Sequence, residues 1–97
     1  MAVAVIQETP DIVTVELYDA VNEKLDAYDT PPQGLLVHAA GAKEGGGFRI
    51  VDIWESAEDM ERFTNERLRP AIEEVAGGDA PEADPPLVYE LHDFAIP

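Results

Sequence analysis

The residues best placed to do chemistry in this sequence are a histidine and an aspartate, His38 and Asp52, on either side of a glycine-rich turn at residues 44–47. If the turn is centred near Gly45, residues whose numbers sum to about 90 face each other across a β-hairpin. His38 then lies opposite Asp52, with their side-chain carbons about 5 Å apart. A carboxylate there can fix the tautomer of the imidazole and raise its basicity, which predicts His38 as a general base oriented by Asp52.

Two other interpretations of this pair stay open. The hydrogen bond between His38 and Asp52 could be purely structural, on an edge strand. A one-residue slip in the turn would place the two side chains on opposite faces of the sheet. The predicted register also pairs Leu36 with Trp54 and Ala40 with Ile50, so all six side chains are expected on one face.

Other residue types capable of chemistry lack a spacing that defines their role. Tyr18, Tyr89 and His92 are candidates for ligand contact, although Tyr18 also fits a core position on a helix. No metal site is predicted, because His38 and Asp52 are only two possible ligands and no third is placed by spacing.

Apolar spacing and turn residues predict six elements in the order strand, helix, strand, strand, helix, strand. The strands are predicted at 2–7, 35–43, 48–54 and 87–96, and the helices at 14–28 and 56–75. Thr14 and Ser56 are the predicted N-caps, and Gly77 ends the second helix. Pro70 is expected to kink or restart that helix, and residues 79–86 to form an acidic, proline-rich loop.

This order is typical of a ferredoxin-like α+β domain, here residues 1–97, with a four-stranded antiparallel sheet and two helices on one face. Both faces of the strands are apolar, since Val51 and Ile53 alternate with Phe48, Ile50 and Trp54. Soluble proteins rarely expose such a face, so the sequence predicts a homodimer.

The composition excludes several classes of function. The 97 residues include 21 acidic and 6 basic side chains and no cysteine, with a formal net charge of -15. This charge disfavours nucleic acid and anionic membranes as partners, and the missing thiols exclude disulfides and a cysteine nucleophile. The first ten residues have no basic segment and too short an apolar run for a signal peptide or a membrane span, so a cytoplasmic protein is expected.

The run from Gly47 to Asp59, with Phe63 and residues 67–70, resembles antibiotic-biosynthesis-monooxygenase-like members of the dimeric α+β barrel superfamily. In that family a strand ending in Trp-Glu-Ser, here residues 54–56, runs into the second helix. The resemblance implies a homodimer in which Trp54 faces the helices and lines a pocket between sheet and helices. His38 would then lie beside Trp54 under the helical layer.

The sequence departs from two groups of relatives. The quinone-forming oxygenases of the superfamily carry an asparagine four residues before the tryptophan, where this chain has Ile50. The haem-degrading relatives ligate iron through a histidine on the second helix, and residues 56–75 contain none. The resemblance therefore implies no haem and no other cofactor.

The function predicted from these features is a cofactor-independent enzyme, monooxygenase-like or cyclase-like, acting on an aromatic or polyketide-like small molecule. The alternative is a non-catalytic ligand-binding or accessory homodimer of the same fold. Besides the catalytic pair, the predicted ligand contacts are Trp54, Ile50, Phe63, Tyr18, Tyr89 and His92.

Overall fold

The chain forms its strands and helices in the predicted order, as seen in a computed structural model that describes residues 1–26, 29–77 and 85–96. The elements are β1 (Val3–Glu8), α1 (Val15–Leu25), β2 (Leu35–Ala42), β3 (Phe48–Trp54), α2 (Ala57–Phe63), a π-helical turn (Thr64–Leu68), α3 (Arg69–Ala76) and β4 (Leu87–Glu90). The predicted contributions of Tyr28 to the first helix and of residues 79–84 to a loop lie outside the described residues.

The four strands form one antiparallel sheet in the order β2-β3-β1-β4, which confirms the ferredoxin-like α+β fold. The helices pack on a single face of this sheet. Val3 and Val5 of β1 and Trp54 of β3 form the buried core on that face, and Met60 and Phe63 pack against them. The sheet therefore contributes the floor of the core and the helices its cover.

Side-chain caps define where the helices begin, as the sequence predicts. The hydroxyl of Thr14 accepts a hydrogen bond from the backbone N–H of Leu17 at 3.1 Å. The hydroxyl of Ser56 does the same for Asp59 at 3.2 Å. Each bond satisfies a donor that the first turn of a helix leaves without a partner. Gly77 ends α3 in the left-handed conformation, with φ of 68°.

The helical segment after β3 contains a π-helical turn that the sequence pattern does not predict. Pro70, where a kink or restart is expected, lies in the first turn of α3; a π-helical turn precedes it, and the backbone stays right-handed helical at Leu68 and Arg69. The preceding turn is wider than an α-helical one, and the N–H of Arg69 bonds the carbonyl of Thr64, five residues back. Phe63 and Leu68, also five residues apart, consequently line the same cavity.

The pairing of β2 with β3 is irregular at its start, which corrects one predicted contact. Leu35, rather than Leu36, pairs with Trp54, and the register shifts between Leu35 and Val37. Leu36 is the extra residue of a bulge, which a rule based only on the turn centre cannot anticipate. Beyond the bulge the predicted register is correct.

The last strand is shorter than predicted. β4 covers Leu87–Glu90, whereas the apolar pattern predicts a strand to Ile96. Glu90 pairs with Val3, and the N–H of Leu91 bonds the carbonyl of Ala2. Past this point β1 provides no residues to pair with, so apolar alternation alone cannot extend the strand. None of the helices formed by the described residues has the length and apolar character needed to cross a membrane.

A glycine before β2 is required by both backbone and packing. Gly34 has φ of 88°, and a Cβ atom there would overlap the carboxylate of Asp59, which forms an ion pair with Arg62 at 2.9 Å. Gly45 has a similar φ of 90° but open space around it. Substitution of Gly45 therefore measures the cost of the backbone conformation alone, and substitution of Gly34 adds the cost of the overlap with Asp59.

We therefore expect Gly34→Ala to lower the free energy of unfolding by more than about 2 kcal/mol, and Gly45→Ala by about 1 kcal/mol. Urea unfolding followed by far-UV circular dichroism measures both values. Equal losses would show that Asp59 moves aside without cost.

Candidate functional site

A cavity of about 330 Å³ lies between the helix-covered face of the sheet and the helices. This volume is at the lower end of the range for small-molecule sites, about 300–1,000 Å³. Its walls are mainly aliphatic, and they include Val13, Leu17, Val21, Leu25, Leu68 and Ile72. A ligand in this cavity would exchange water for an apolar environment.

His38 and Asp52 are partners across β2 and β3, as predicted, and both line the cavity. Nδ1 of His38 lies 2.6 Å from Oδ1 of Asp52, and the two side chains are 27% and 19% exposed. An ionised carboxylate can only accept a hydrogen bond, so Nδ1 carries the hydrogen and donates it. The pair thus has the arrangement in which a carboxylate fixes the tautomer of an imidazole.

The hydrogen bond from His38 to Asp52 raises the pKa of His38 above its ordinary value of 6.5. Partial burial acts in the opposite direction, and the negative charge of Asp52 adds a smaller upward contribution. An imidazole with a raised pKa holds a proton more firmly once it has received one. This property suits a general base near neutral pH.

A third side chain, Tyr18, joins this pair from the helical layer. Its hydroxyl oxygen lies 3.1 Å from Nε2 of His38. Its ring stacks on Phe48 of β3, with ring centroids 4.4 Å apart and planes inclined by 16°. Sequence spacing places Tyr18 on the inner side of α1, but no local pattern indicates a contact with a residue twenty positions away.

Trp54 lines the cavity and is almost completely buried, with 1% of its surface exposed. Its ring packs against Phe63 of α2, with centroids 5.4 Å apart. Among the described residues, no acceptor lies within hydrogen-bonding distance of its Nε1–H. A buried indole N–H normally has a partner, so this donor is available to a ligand oxygen.

The structure brings four of the six predicted ligand contacts to the cavity and leaves two outside it. Trp54, Ile50, Phe63 and Tyr18 all line the cavity. Tyr89 pairs with Ala4, which places it on the helix-free face, and it is 51% exposed. His92 follows β4, is exposed, and is not among the described residues around the cavity.

Polar residues at the rim of the cavity escape sequence reasoning, because they lie on a loop and on strand and helix ends without a motif. Gln7, Thr9 and Asn22 contribute to the lining. The Thr9 hydroxyl accepts a hydrogen bond from the N–H of Phe48 at 2.7 Å, and its carbonyl accepts one from Lys43 at 3.0 Å. These bonds attach the loop after β1 to the β2–β3 hairpin. Within residues 1–26, 29–77 and 85–96, no three acidic or histidine side chains converge as a metal site requires.

Titration of His38 tests the electrostatics of the pair. We expect an NMR-measured pKa above 6.5 in the native protein, and a lower one in Asp52→Asn, where burial remains and the carboxylate is gone. Because the folded pKa is raised, the pair stabilises the fold fully below the unfolded pKa, and this contribution is lost as pH rises through the folded pKa. The difference in free energy of unfolding between native protein and Asp52→Asn should therefore be larger at about pH 6 than at about pH 9. A difference independent of pH would contradict the shifted pKa.

No protein-family model and no curated protein matches the sequence, whereas solved structures share its fold. SnoaB, a cofactor-independent oxygenase from Streptomyces nogalater, is 8% identical with a TM-score of 0.69, and 96% of this chain and 95% of SnoaB are covered. Rv0793 from Mycobacterium tuberculosis is 18% identical with a TM-score of 0.65, over 99% and 100% of the two chains. A candidate antibiotic biosynthesis monooxygenase from Chloroflexus aurantiacus is 16% identical with a TM-score of 0.64, over 100% of both chains. The chain thus shares its ferredoxin-like fold, over nearly its whole length, with antibiotic biosynthesis monooxygenase-like proteins.

Proposed function

We propose that this protein is a cofactor-independent enzyme, monooxygenase-like or cyclase-like, that acts on an aromatic or polyketide-like molecule in the cavity. The observation that carries the proposal is the 2.6 Å hydrogen bond between His38 and Asp52 on the wall of a largely apolar cavity. The fold likeness to SnoaB, a cofactor-independent oxygenase, supports the reaction class.

In the proposed reaction, His38 is the base that removes a proton from a phenolic or keto-enolic ligand, and Asp52 stabilises the imidazolium that forms. The resulting carbanion or phenolate is delocalised over the ligand rings. It then reacts with dioxygen in the monooxygenase-like case, or with a carbonyl of the same molecule in the cyclase-like case. The buried N–H of Trp54 would donate to a ligand oxygen as negative charge develops there.

The walls of the cavity support a flat, apolar ligand. Ile50, Phe63 and Trp54 give it apolar and aromatic surfaces. In the family that the sequence resembles, the oxygenases have an asparagine at the position of Ile50. In this proposal His38 and Asp52 remove the proton, and the reaction needs no asparagine at position 50.

The second candidate function is a ligand-binding or accessory protein without catalysis. The aliphatic walls and the free donor of Trp54 favour this candidate independently, because they can hold a ligand without a base. The two functions differ in one measurable respect: only the enzyme loses turnover when His38 is removed while its ligand still binds.

Anthrone is a suitable test substrate, because dioxygen converts it to anthraquinone and water once a proton is removed. We expect the protein to accelerate this reaction and His38→Ala to lower the rate by about 10²–10⁴-fold, with a smaller loss in Asp52→Asn. Quinone absorbance and oxygen consumption measure turnover. Binding is measured separately by quenching of Trp54, the single tryptophan of the chain.

The matched control is His92→Ala, which removes the other histidine from an exposed position and should leave turnover unchanged. Binding of flat phenols without turnover of any in a panel of anthrones and hydroxynaphthalenes would support the ligand-binding candidate. Turnover that persists in His38→Ala would show that His38 is not the base.

We also propose that the protein is a homodimer joined through the helix-free face of the sheet. That face carries Val51, Leu87 and Tyr89, which are 36%, 65% and 51% exposed in the single chain. Its charged pair, Glu8 and Arg49, lies at one end and is joined at 2.8 Å. A second copy would cover this apolar strip, which a single chain leaves exposed to water.

Light scattering should give close to twice 10.6 kDa for the native protein, and Val51→Glu should shift it towards 10.6 kDa or unfold it, because a carboxylate would be buried in the interface. Val15→Glu makes the same change at a 54% exposed position on α1 and should remain dimeric. A native protein that is monomeric at micromolar concentration would refute this assembly.

A further inference from the structure

Three side chains form a continuous hydrogen-bonded chain from the sheet to the helical layer: Asp52, His38 and Tyr18. Because Asp52 accepts from Nδ1, the neutral imidazole has its acceptor lone pair on Nε2. Nε2 faces the Tyr18 hydroxyl at 3.1 Å, so the Tyr18 O–H donates a hydrogen bond to Nε2 of His38. The acceptor nitrogen of His38 is therefore already occupied by the Tyr18 hydroxyl when a ligand binds.

The position of Tyr18 is determined by packing on two sides. Its ring stacks on Phe48, and its backbone N–H bonds the carbonyl of Thr14 at 2.9 Å in the first turn of α1. Tyr18 also lines the cavity. The hydroxyl is thus held at Nε2 of His38 on the wall of the cavity, by a residue of a helix rather than of a loop.

We propose that Tyr18 is a catalytic residue that takes the proton from the ligand while it passes its own proton to His38. This inference rests on the proposed function, and it changes which atom touches the ligand. A ligand could reach Nε2 directly only by displacing the Tyr18 hydroxyl, and the stacked ring opposes that displacement.

The proton transfer balances without any other reactant. The acidic C–H or O–H bond of the ligand breaks, and its proton bonds to the Tyr18 oxygen. The original O–H bond of Tyr18 breaks, and that proton bonds to Nε2 of His38. Tyr18 ends neutral, the ligand becomes an anion and His38 becomes an imidazolium beside the Asp52 carboxylate. No electrons are transferred.

Umbelliferone, a flat phenol whose phenol and phenolate forms absorb at different wavelengths, measures this transfer directly. We expect the native protein to raise the phenolate fraction of bound umbelliferone above that of the free probe at the same pH. Tyr18→Phe, which keeps the stacked ring, should lose this increase as completely as His38→Ala does. Quenching of Trp54 reports the bound fraction in each variant.

The outcomes distinguish a proton relay, in which Tyr18 passes a proton from the ligand to His38, from direct proton removal by His38. If Tyr18→Phe keeps the phenolate increase and His38→Ala loses it, His38 acts directly and the relay is wrong, while the proposed function stands. If His38→Ala also keeps the increase, the base itself is wrong. Loss in both variants supports the relay.

A second measurement needs no bound ligand. p-Toluenesulfonyl fluoride reacts with a tyrosine hydroxyl as the S–F bond breaks, an O–S bond forms and the phenolic proton passes to a base. Peptide maps measure how fast Tyr18 is labelled in each variant. We expect His38→Ala to slow labelling of Tyr18 by at least about tenfold relative to the native protein. Labelling of Tyr18 at equal rates in the native protein and His38→Ala would overturn the proposal.

Discussion

The register between β2 and β3 is the constraint on which the rest of the structure depends. Beyond the bulge at Leu36 this register places His38 opposite Asp52 at the cavity, and the bulge brings Leu35 opposite Trp54 in the core. Side chains alternate along a strand, so a slip of one residue would turn the imidazole to the helix-free face. The candidate site therefore depends on the same two strands that supply part of the core.

The charge of the protein and the character of its cavity act in opposite directions on a ligand. With 21 acidic and 6 basic side chains, the surface repels anions at neutral pH. Several cations are already paired with acidic partners, as in Lys24 with Glu74 and Arg49 with Glu8. A neutral ligand enters an apolar space without this repulsion, and its ionisation inside then depends on the few polar groups there. This combination favours ligands that are neutral in solution and lose a proton only after they bind in the cavity.

Sequence patterns predict the features of the fold that depend on residues close together in the chain. The hydroxyl caps at Thr14 and Ser56, the order of elements and the facing of His38 and Asp52 follow from spacings of a few residues or from one turn. The bulge at Leu36 and the contact between Tyr18 and His38 depend on how whole elements pack. No nearby residue specifies them, because the partner is supplied by another layer of the fold.

The same reasoning explains the length of β4. Apolar alternation from Leu87 to Ile96 indicates a strand, but a strand also needs a neighbour, and the pairing stops where β1 begins at Val3. Alternation therefore measures the capacity of a segment to pair, whereas the length of its neighbour sets how much of that capacity is used.

The π-helical turn at Thr64–Leu68 makes the cavity wall independent of one residue of chain length. Phe63, Leu68, Ile72 and Ala76 line the cavity with spacings of five, four and four residues, so the wide turn absorbs one extra residue. In an uninterrupted α-helix that extra residue would rotate one half of the helix by about 100° relative to the other. Deleting a single residue within the turn would give a regular α-helix in which the same side chains, now four residues apart, still face the cavity. Homologues shorter by one residue at this point would therefore present the same wall to their ligands.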